Sequence, residues 1–393
     1  MTLKSFCVVC VCFLALSASA DSTNDKGSSS SFPLVFCDRT TECAELYLKG
    51  VDVPRFGDPE TSCDPNAVCG CDPVQLIEHA GICWHRSSDN KVKETLMNMQ
   101  LAVFHQAASV LSDPLSTELQ CPPASPSDRD VSLPSLFSNP DIFVHPSLVL
   151  RQRSVHTAIN STTTSSAVFT TSKLPHGEVV MKIPKRALIS KETMQDSPFG
   201  QFLLTMKANS NIWFPMFSVL LLSEILNPST KFIDIICLLP DSYSHSAYFW
   251  PRSALDAGQL AARDQRLKFL FYFYNQAAPS ISSIQSSVVP WSVFEFRTFL
   301  WAFLSMELNA LSFGVADKVS VLPGINNFQH SLKPNLKLSL DSSGSDFYNV
   351  IVSKKKGIPA AQELTFSHGA LCNEELMFRY GVALEGNKIK CSM

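Results

Sequence analysis

A single histidine lies in a turn-rich loop in the C-terminal third of this 393-residue chain. Residues 322–335, LPGINNFQHSLKPN, surround His330 with the proline, glycine and asparagine residues that favour turns. A histidine at such a position could act as a general base or line a ligand pocket, although a lone histidine is more often a structural residue. Its role therefore depends on the sequence elements around the loop.

Cysteines near the N-terminus could supply a different chemistry. A block of six comprises Cys37, Cys43, Cys63, Cys69, Cys71 and Cys83. An even number of cysteines in a loop-rich segment predicts three disulfides, and the sequence leaves their connectivity open. Zinc is the alternative, but no pair within the block has the C-x2-C spacing with which two thiolates bind one ion. The interpretation is a disulfide-rich module over residues 37–110, with no metal site.

The first 20 residues have the pattern of a secretory signal peptide. Lys4 precedes an apolar run over residues 6–16, and Ala18-Ser19-Ala20 offers a cleavage site of small residues. The run is short for a membrane span, so we expect cleavage, with an uncleaved anchor as the alternative and no stable membrane span after cleavage. Residues 21–36, which include the serine run 28–31, are predicted to be a flexible linker.

Composition and missing motifs exclude several function classes. The formal net charge of −3 gives no general attraction for nucleic acid, and 45% hydrophobic residues suffice for a large core. The chain contains neither the Walker A pattern nor G-x-G-x-x-G nor G-x-S-x-G. Nucleotide phosphate binding, dinucleotide binding and serine-hydrolase chemistry are therefore not expected.

Alternating and helical hydrophobic patterns predict the elements that must position His330. Residues 87–110 have helical spacing, with Leu96, Met99, Val103, Ala107 and Val110 on one face, whereas the proline-rich residues 111–147 are predicted to be an interdomain linker. Strands are predicted within 167–184 around a turn at 175–177, and at 336–340, 348–352 and 363–366. Helices are predicted at 214–226, 255–275, 291–313 and 374–379.

Six stretches in this order resemble the SET-domain methyltransferases of the Rubisco large-subunit methyltransferase type, in which a helical insertion divides the SET fold. They are LPHGEVVMKIPKRALIS, FPMFSVLLLSEILNPSTKF, LLPDSYSHSAYFW, FRTFLWAFLSM, LPGINNFQHSLKPN and KKGIPAAQELTFSHGALCNEELMFRYGVALEGN. The resemblance implies an α+β, β-rich SET-like domain over residues 148–388, with a helical insertion at about 195–312. The disulfide-rich module precedes this domain.

The resemblance also implies a reaction and a set of site residues. In that family S-adenosylmethionine donates a methyl group to a lysine amine of a protein substrate, and positioning supplies much of the rate enhancement. His330 matches the histidine of an Asn-His pair that holds the cofactor. Tyr380 and His368 stand at two tyrosine positions and are expected to be catalytic. Cofactor binding is expected of Ala167, Asn326, Gln329 and His330.

Several family positions carry a different residue in this chain. Ser165-Ser166-Ala167 stands where the family has a Gly-x-Gly turn, Gln329 replaces asparagine, Asn309 replaces arginine and His368 replaces tyrosine. These replacements favour a second hypothesis, in which the domain is a SET-fold pseudoenzyme that binds a protein or the cofactor without methyl transfer. A third hypothesis is a secreted interaction protein that acts through the disulfide-rich module.

The predicted compartment follows from the N-terminus. A signal peptide followed by a cysteine block is typical of the secretory pathway or of a secreted protein. A plastid reached through the secretory pathway is the alternative, because methyltransferases of this type act in the cytosol, the nucleus or plastids. The expected partner is a protein, either as substrate or as binding partner.

Overall fold

The computed structural model describes residues 41, 44, 73–111, 130–156, 162–196, 200–201, 213–225, 227, 229–240, 242–283, 296–312, 319–340 and 346–391. The predicted signal peptide, the linker at 21–36 and five of the six block cysteines lie outside these residues. Cys83 is described and is disulfide-bonded, as is Cys237. Among the described residues, no helix has both the length and the apolar composition needed to cross a membrane.

The chain divides into two compact units, residues 1–111 with 260–297, and residues 112–259 with 298–393. The first unit contains helices α1 (Pro73–Arg86), α2 (Asn90–Leu111) and most of the long helix α6 (Ala257–Ser283). The prediction placed α2 in the N-terminal module and α6 in the insertion of the SET-like domain. In the structure the two helices belong to one compact unit. The domain limits given by the sequence analysis stay a prediction.

Helix α2 is capped at its start by a side chain. The Asp89 carboxylate accepts a hydrogen bond from the Lys91 backbone N–H at 2.7 Å, which satisfies a free donor of the first turn. The predicted apolar face is confirmed at Leu96, Val103 and Ala107, which are all buried. Helix α2 is joined to α6 by Gln100 and Asn275, whose buried side-chain amides exchange two hydrogen bonds of 3.1 and 2.9 Å. An amide pair of this kind satisfies polar groups that burial would otherwise leave unpaired.

The second unit is built from short sheets that helices interrupt. Its strands are β1 (Val131–Ser132), β2 (Phe143–Val144), β3 (Leu148–His156), β4 (Thr162–Thr170), β5 (Val179–Pro184), β6 (Ile189–Ser190), β7 (Ala310–Ser312), β8 (Val319–Val321), β9 (Gln329–His330), β10 (Leu336–Leu340), β11 (Phe347–Val352) and β12 (Thr365–Phe366). Its helices are α3 (Lys191–Met194), α4 (Trp213–Ile225), α5 (Ile233–Ile236) and α8 (Asn373–Tyr380), together with α7 (Phe296–Asn309) from Thr298 onwards. The predicted α+β class with a helical insertion between strands is confirmed.

The strands form four sheets with the orders β1-β3-β4, β10-β11-β5-β2, β6-β8-β7 and β12-β9. All the pairs are antiparallel except β12 with β9, which is parallel. The core lies over the four-stranded sheet, where Val180, Met181 and Ile183 of β5 and Val350 and Val352 of β11 are fully buried. Strand β5 is inside its sheet and buries most of its residues, with Lys182 as the exposed exception.

Two predicted segments differ from the structure. Strands β1 and β2 lie in the proline-rich segment that was interpreted as a linker, and both lie at sheet edges. Proline is tolerated beside edge strands because no ladder hydrogen bond is lost there. The helix predicted to reach residue 313 ends at Asn309, because Ala310–Ser312 pairs with β8 instead. Tertiary pairing overrides the helical pattern at this point.

A disulfide that the sequence did not predict joins Cys372, at the start of α8, to Cys391, 19 residues later. It closes a loop that contains the whole of α8. We expect the double variant Cys372→Ala/Cys391→Ala to lose about 3 kcal/mol of unfolding free energy, because a loop of this length restricts the unfolded chain. Guanidinium unfolding of the variant and of the parent protein measures the difference. An unchanged midpoint at an unchanged slope would show that this crosslink does not stabilise the fold.

Candidate functional site

Three aromatic rings from separate parts of the sequence meet at one place. His330 ends β9, His368 follows β12 by two residues, and Tyr380 is the last residue of α8. The ring centroids of His330 and His368 are 6.0 Å apart, those of His368 and Tyr380 5.5 Å, and those of His330 and Tyr380 6.4 Å. We call His330, His368 and Tyr380 the ring cluster. Three residues that the sequence analysis placed in the site are thus brought together.

The parallel pairing of β9 with β12 brings the two histidines together. Gln329 lies opposite Thr365, and His330 lies opposite Phe366. Beyond the strands, the backbone N–H of His368 donates to Nδ1 of His330 at 3.2 Å. The His368 ring lies perpendicular to that of Phe366, with centroids 5.6 Å apart. His368 is therefore held by both its backbone and its ring.

Helix α8 positions Tyr380 through both of its ends. At the start, the Glu375 carboxylate accepts a hydrogen bond from the Cys372 backbone N–H at 2.9 Å, which caps the first turn. At the end, Gly381 adopts the left-handed conformation with φ of 66°. The Ser246 hydroxyl donates to the Phe378 carbonyl at 2.5 Å, and the Ala247 N–H donates to the Met377 carbonyl at 3.2 Å. The last turn of α8 is thus tied to the segment 245–247.

Hydrogen bonds fix the tautomers of the two histidines when they are neutral. Nε2 of His368 lies 2.9 Å from the Phe328 carbonyl, which can only accept, so Nε2 carries the proton and Nδ1 does not. Nδ1 of His330 accepts from the His368 backbone, so its proton is on Nε2. The cluster therefore presents an acceptor on His368 and a donor on His330.

Burial keeps both imidazoles neutral and the phenol protonated. Burial lowers the pKa of His368 to about 4, with smaller lowering contributions from His330 and Arg379 and an opposing one from the bond to Phe328. The pKa of His330 is lowered by burial and then by the positive charge of Arg379. Burial raises the pKa of Tyr380 to about 12, and Arg379 partly opposes this rise. At neutral pH none of the three rings carries a charge.

The cluster leaves polar atoms buried without a partner. Nε2 of His330 and Nδ1 of His368 are buried and make no hydrogen bond within the described part of the chain, whereas the buried hydroxyl of Tyr380 has Arg379 as its partner. A buried polar atom left unpaired costs about 1–3 kcal/mol, so two in one place indicate that a ligand supplies the partners. The arrangement can hold a small group that both donates and accepts hydrogen bonds.

The other predicted site residues have partners elsewhere. Nε2 of Gln329 donates to the Ser166 carbonyl at 3.0 Å, which joins β9 to β4 next to the fully buried Ala167. Nδ2 of Asn326 donates to the Leu238 carbonyl at 2.9 Å, in the helical insertion. The cofactor roles of Ala167, Asn326 and Gln329 stay predictions. Asn309, at the family's arginine position, donates to the Ser305 carbonyl at 2.7 Å and to the Tyr243 hydroxyl at 3.2 Å.

Sequence analysis missed two residues near the site. The positive charge of Arg379 acts on all three rings of the cluster. Asn327 is buried, and its side-chain nitrogen has no partner within the described residues. No spacing rule signals either residue, because Arg379 simply precedes the predicted tyrosine and Asn327 was interpreted only as a turn-forming residue. Over the described residues, no group of three or more metal-ligating side chains is found.

Comparisons with known proteins place this geometry in a family. The SET domain family model matches residues 166–369, a range that contains His330 and His368 and ends eleven residues before Tyr380. Comparison with curated proteins finds no match. Comparison with solved structures finds a match to the SET domain of LSMT bound to lysine and AdoHcy, at 14% identity and a TM-score of 0.47, with 60% of this chain and 53% of that chain covered.

Two further structures give similar values. Rubisco LSMT bound to sinefungin and monomethyllysine has 14% identity and a TM-score of 0.45, with 60% of this chain and 52% of that chain covered. Rubisco LSMT bound to AdoMet has 14% identity and a TM-score of 0.41, with 61% and 53% covered. The chain thus spans about half the length of these proteins. On the match of the family model to just over half of its length, the chain belongs to the SET-domain family.

Proposed function

We propose that this protein is a SET-type protein-lysine methyltransferase that uses S-adenosylmethionine. The observation that carries the proposal is the ring cluster, in which each imidazole keeps a buried nitrogen without a partner among the described residues, in a domain of the SET family. His330 and Tyr380 occupy the positions at which the family resemblance expects a cofactor-binding histidine and a catalytic tyrosine. The substrate would be a lysine side chain of a protein.

The cluster fits a neutral amine better than an ammonium ion. An amine has N–H groups that can donate to His368 Nδ1 or to the Tyr380 oxygen, and it keeps a lone pair for the reaction. Burial and the Arg379 charge lower the pKa of His368, and the same two effects are expected to lower the pKa of an entering lysine. When bound, S-adenosylmethionine would supply an electrophilic methyl group. The residues of the chain hold the amine, orient it and exclude water from it.

A second candidate function is binding without methyl transfer. It is favoured by the hydrogen bond from Gln329 to Ser166, which ties β9 to β4 where the resemblance expects the cofactor. Serine and alanine also stand there in place of the family's glycines, and Ala167 is fully buried. A domain in which these contacts fill the expected cofactor site would keep the SET fold but would not transfer a methyl group.

Calorimetry with S-adenosylmethionine on the full chain tests the first candidate. We expect saturable binding that the His330→Ala variant weakens at least tenfold, because His330 supplies an unpaired donor. The matched control is His145→Ala, which changes a histidine of the same compact unit that bonds to Ser147 outside the cluster.

Transfer of a radiolabelled methyl group to a library of lysine peptides completes the test. Binding together with transfer supports the methyltransferase. Binding without transfer to any peptide would favour the second candidate. A folded protein that does not bind S-adenosylmethionine would overturn the proposed use of this cofactor.

We further propose that the protein enters the secretory pathway, with a plastid reached by that route as the alternative. The support is the N-terminal signal pattern together with the cysteine-rich composition of the following segment. The disulfide between Cys372 and Cys391 is compatible with an oxidising compartment.

A further inference from the structure

One residue of the ring cluster stands out because its hydrogen bonding is set before any ligand arrives. His368 is 6% exposed, and its ring is fixed through Nε2 by the Phe328 carbonyl. Its backbone N–H is also used, since it donates to His330. Within the described part of the chain, the one polar atom of the His368 side chain that has no partner is Nδ1. Because Nε2 carries the proton, Nδ1 is an acceptor with a free lone pair.

The charged and titratable groups around His368 keep this acceptor available. His330 faces it from β9, and Tyr380 and Arg379 face it from α8. His330 and Arg379 both oppose protonation of His368, as does burial. A group that stays neutral in this environment accepts hydrogen bonds but takes up a proton poorly, so it is unsuited to act as a general base for an ammonium ion.

We propose that His368 Nδ1 accepts a hydrogen bond from the N–H of the substrate lysine amine and orients its lone pair, without itself becoming protonated during turnover. The inference rests on the proposed function for the identity of the amine. A tyrosine at this position would act differently. The acceptor nitrogen of His368 is fixed by the bond from Nε2 to the Phe328 carbonyl, whereas the hydrogen of a tyrosine hydroxyl can rotate. The Tyr380 hydroxyl remains as the second contact for the amine.

Two substitutions separate this role from a structural one. In His368→Asn the side-chain oxygen can occupy the place of Nδ1, so the acceptor is kept and the bond to Phe328 is lost. In His368→Gln the longer amide can reach the Phe328 carbonyl, so the anchor is kept and the acceptor is lost. We expect kcat/KM for a lysine peptide to fall less than tenfold in His368→Asn and about 100-fold in His368→Gln. Calorimetry should give the same S-adenosylmethionine affinity for both variants.

The reverse order, with His368→Gln active and His368→Asn inactive, would assign His368 a purely structural role and overturn the inference. The pH profile gives an independent check. We expect log(kcat/KM) to rise with pH as the amine deprotonates, with the same shape in the parent protein and in His368→Asn. An ionisation between pH 5 and 8 that disappears in His368→Asn would instead identify His368 as a proton acceptor.

A readout without turnover separates this inference from the proposed function. In protein labelled with nitrogen-15 on histidine, we expect n-butylamine at alkaline pH to shift the Nδ1 resonance of His368 upfield and to leave that of Nε2 in place. If this shift is seen in a protein that transfers no methyl group, His368 Nδ1 is established as an acceptor for an amine and the proposed function fails. If methyl transfer occurs without the shift, the inference fails and the proposed function holds.

Discussion

Replacing Tyr380 by phenylalanine is expected to lower kcat/KM for methyl transfer by at least 100-fold without destabilising the protein. The Tyr380 hydroxyl is buried, and Arg379 is its one polar partner among the described residues, so the fold loses at most this contact when the hydroxyl is removed. We therefore expect the unfolding free energy to stay within about 1 kcal/mol of the parent value. The reaction, by contrast, loses a group that positions the amine. Peptide methylation and guanidinium unfolding measure the two effects.

Tyr243→Phe is the matched control. Tyr243 is also a buried tyrosine of this unit, but its hydroxyl donates to Ser305 at 3.0 Å and accepts from Asn309 at 3.2 Å. This variant should lose about 1 kcal/mol of stability and keep its activity, because satisfied hydrogen bonds are broken away from the ring cluster. If Tyr380→Phe proved to be the less stable of the two variants, its hydroxyl would have a structural role instead.

Replacing Gly381 by alanine is expected to destabilise the protein by about 4 kcal/mol and to abolish activity. A Cβ at this position would lie 2.2 Å from the His245 carbonyl oxygen, and the backbone φ of 66° is unfavourable for alanine. The left-handed conformation costs about 1–2 kcal/mol, and relieving the overlap requires the segment 245–247 to move away. That movement breaks its hydrogen bonds to Phe378 and Met377, each worth about 1 kcal/mol. Tyr380, the preceding residue, would then lose its position.

Gly386→Ala separates the two causes. Gly386 also has a positive φ, of 73°, but a Cβ there would meet no atom within 4 Å. The unfolding free energy of this variant should fall only by the cost of the left-handed backbone conformation, about 1–2 kcal/mol as for Gly381. The variant should keep its activity. Unfolding free energies from guanidinium titration compare the two variants. Equal losses in both would mean that the contact with His245 does not hold the end of α8.

Local pattern predicted the longer elements near the C-terminus of the second unit, because these elements carry their own signals, whereas several two- and three-residue strands were not predicted. The strand predicted at 336–340 matches β10 at both ends, and the helix predicted at 374–379 differs from α8 by one residue at each end. The pairing of these elements was not predictable from pattern, since the partner of a strand depends on tertiary packing. Ala310–Ser312 shows this, because it continues a helical pattern and nevertheless pairs with β8.

The site was predicted as a set of positions and not as a hydrogen-bonding arrangement. Order of motifs along the chain placed His330, His368 and Tyr380 together, and the structure brings these three rings within 6.4 Å of one another. Sequence alone could not assign protons to the histidines, because this depends on the Phe328 carbonyl and on the His368 backbone. The influence of Arg379 also required coordinates, since no spacing rule makes a charge next to a tyrosine point into a site.

The direct pairing of β5 with β11 determines where this protein tolerates changes in chain length. The whole helical insertion lies between these two strands in sequence, yet Met181 and Val350 are neighbours in the sheet. The entropy of closing such a loop grows only logarithmically, so doubling its length adds about 0.6 kcal/mol to the cost. The insertion can therefore change in length at little loop-closure cost while the sheet keeps its register, provided that it retains the segment 245–247, which holds the last turn of α8.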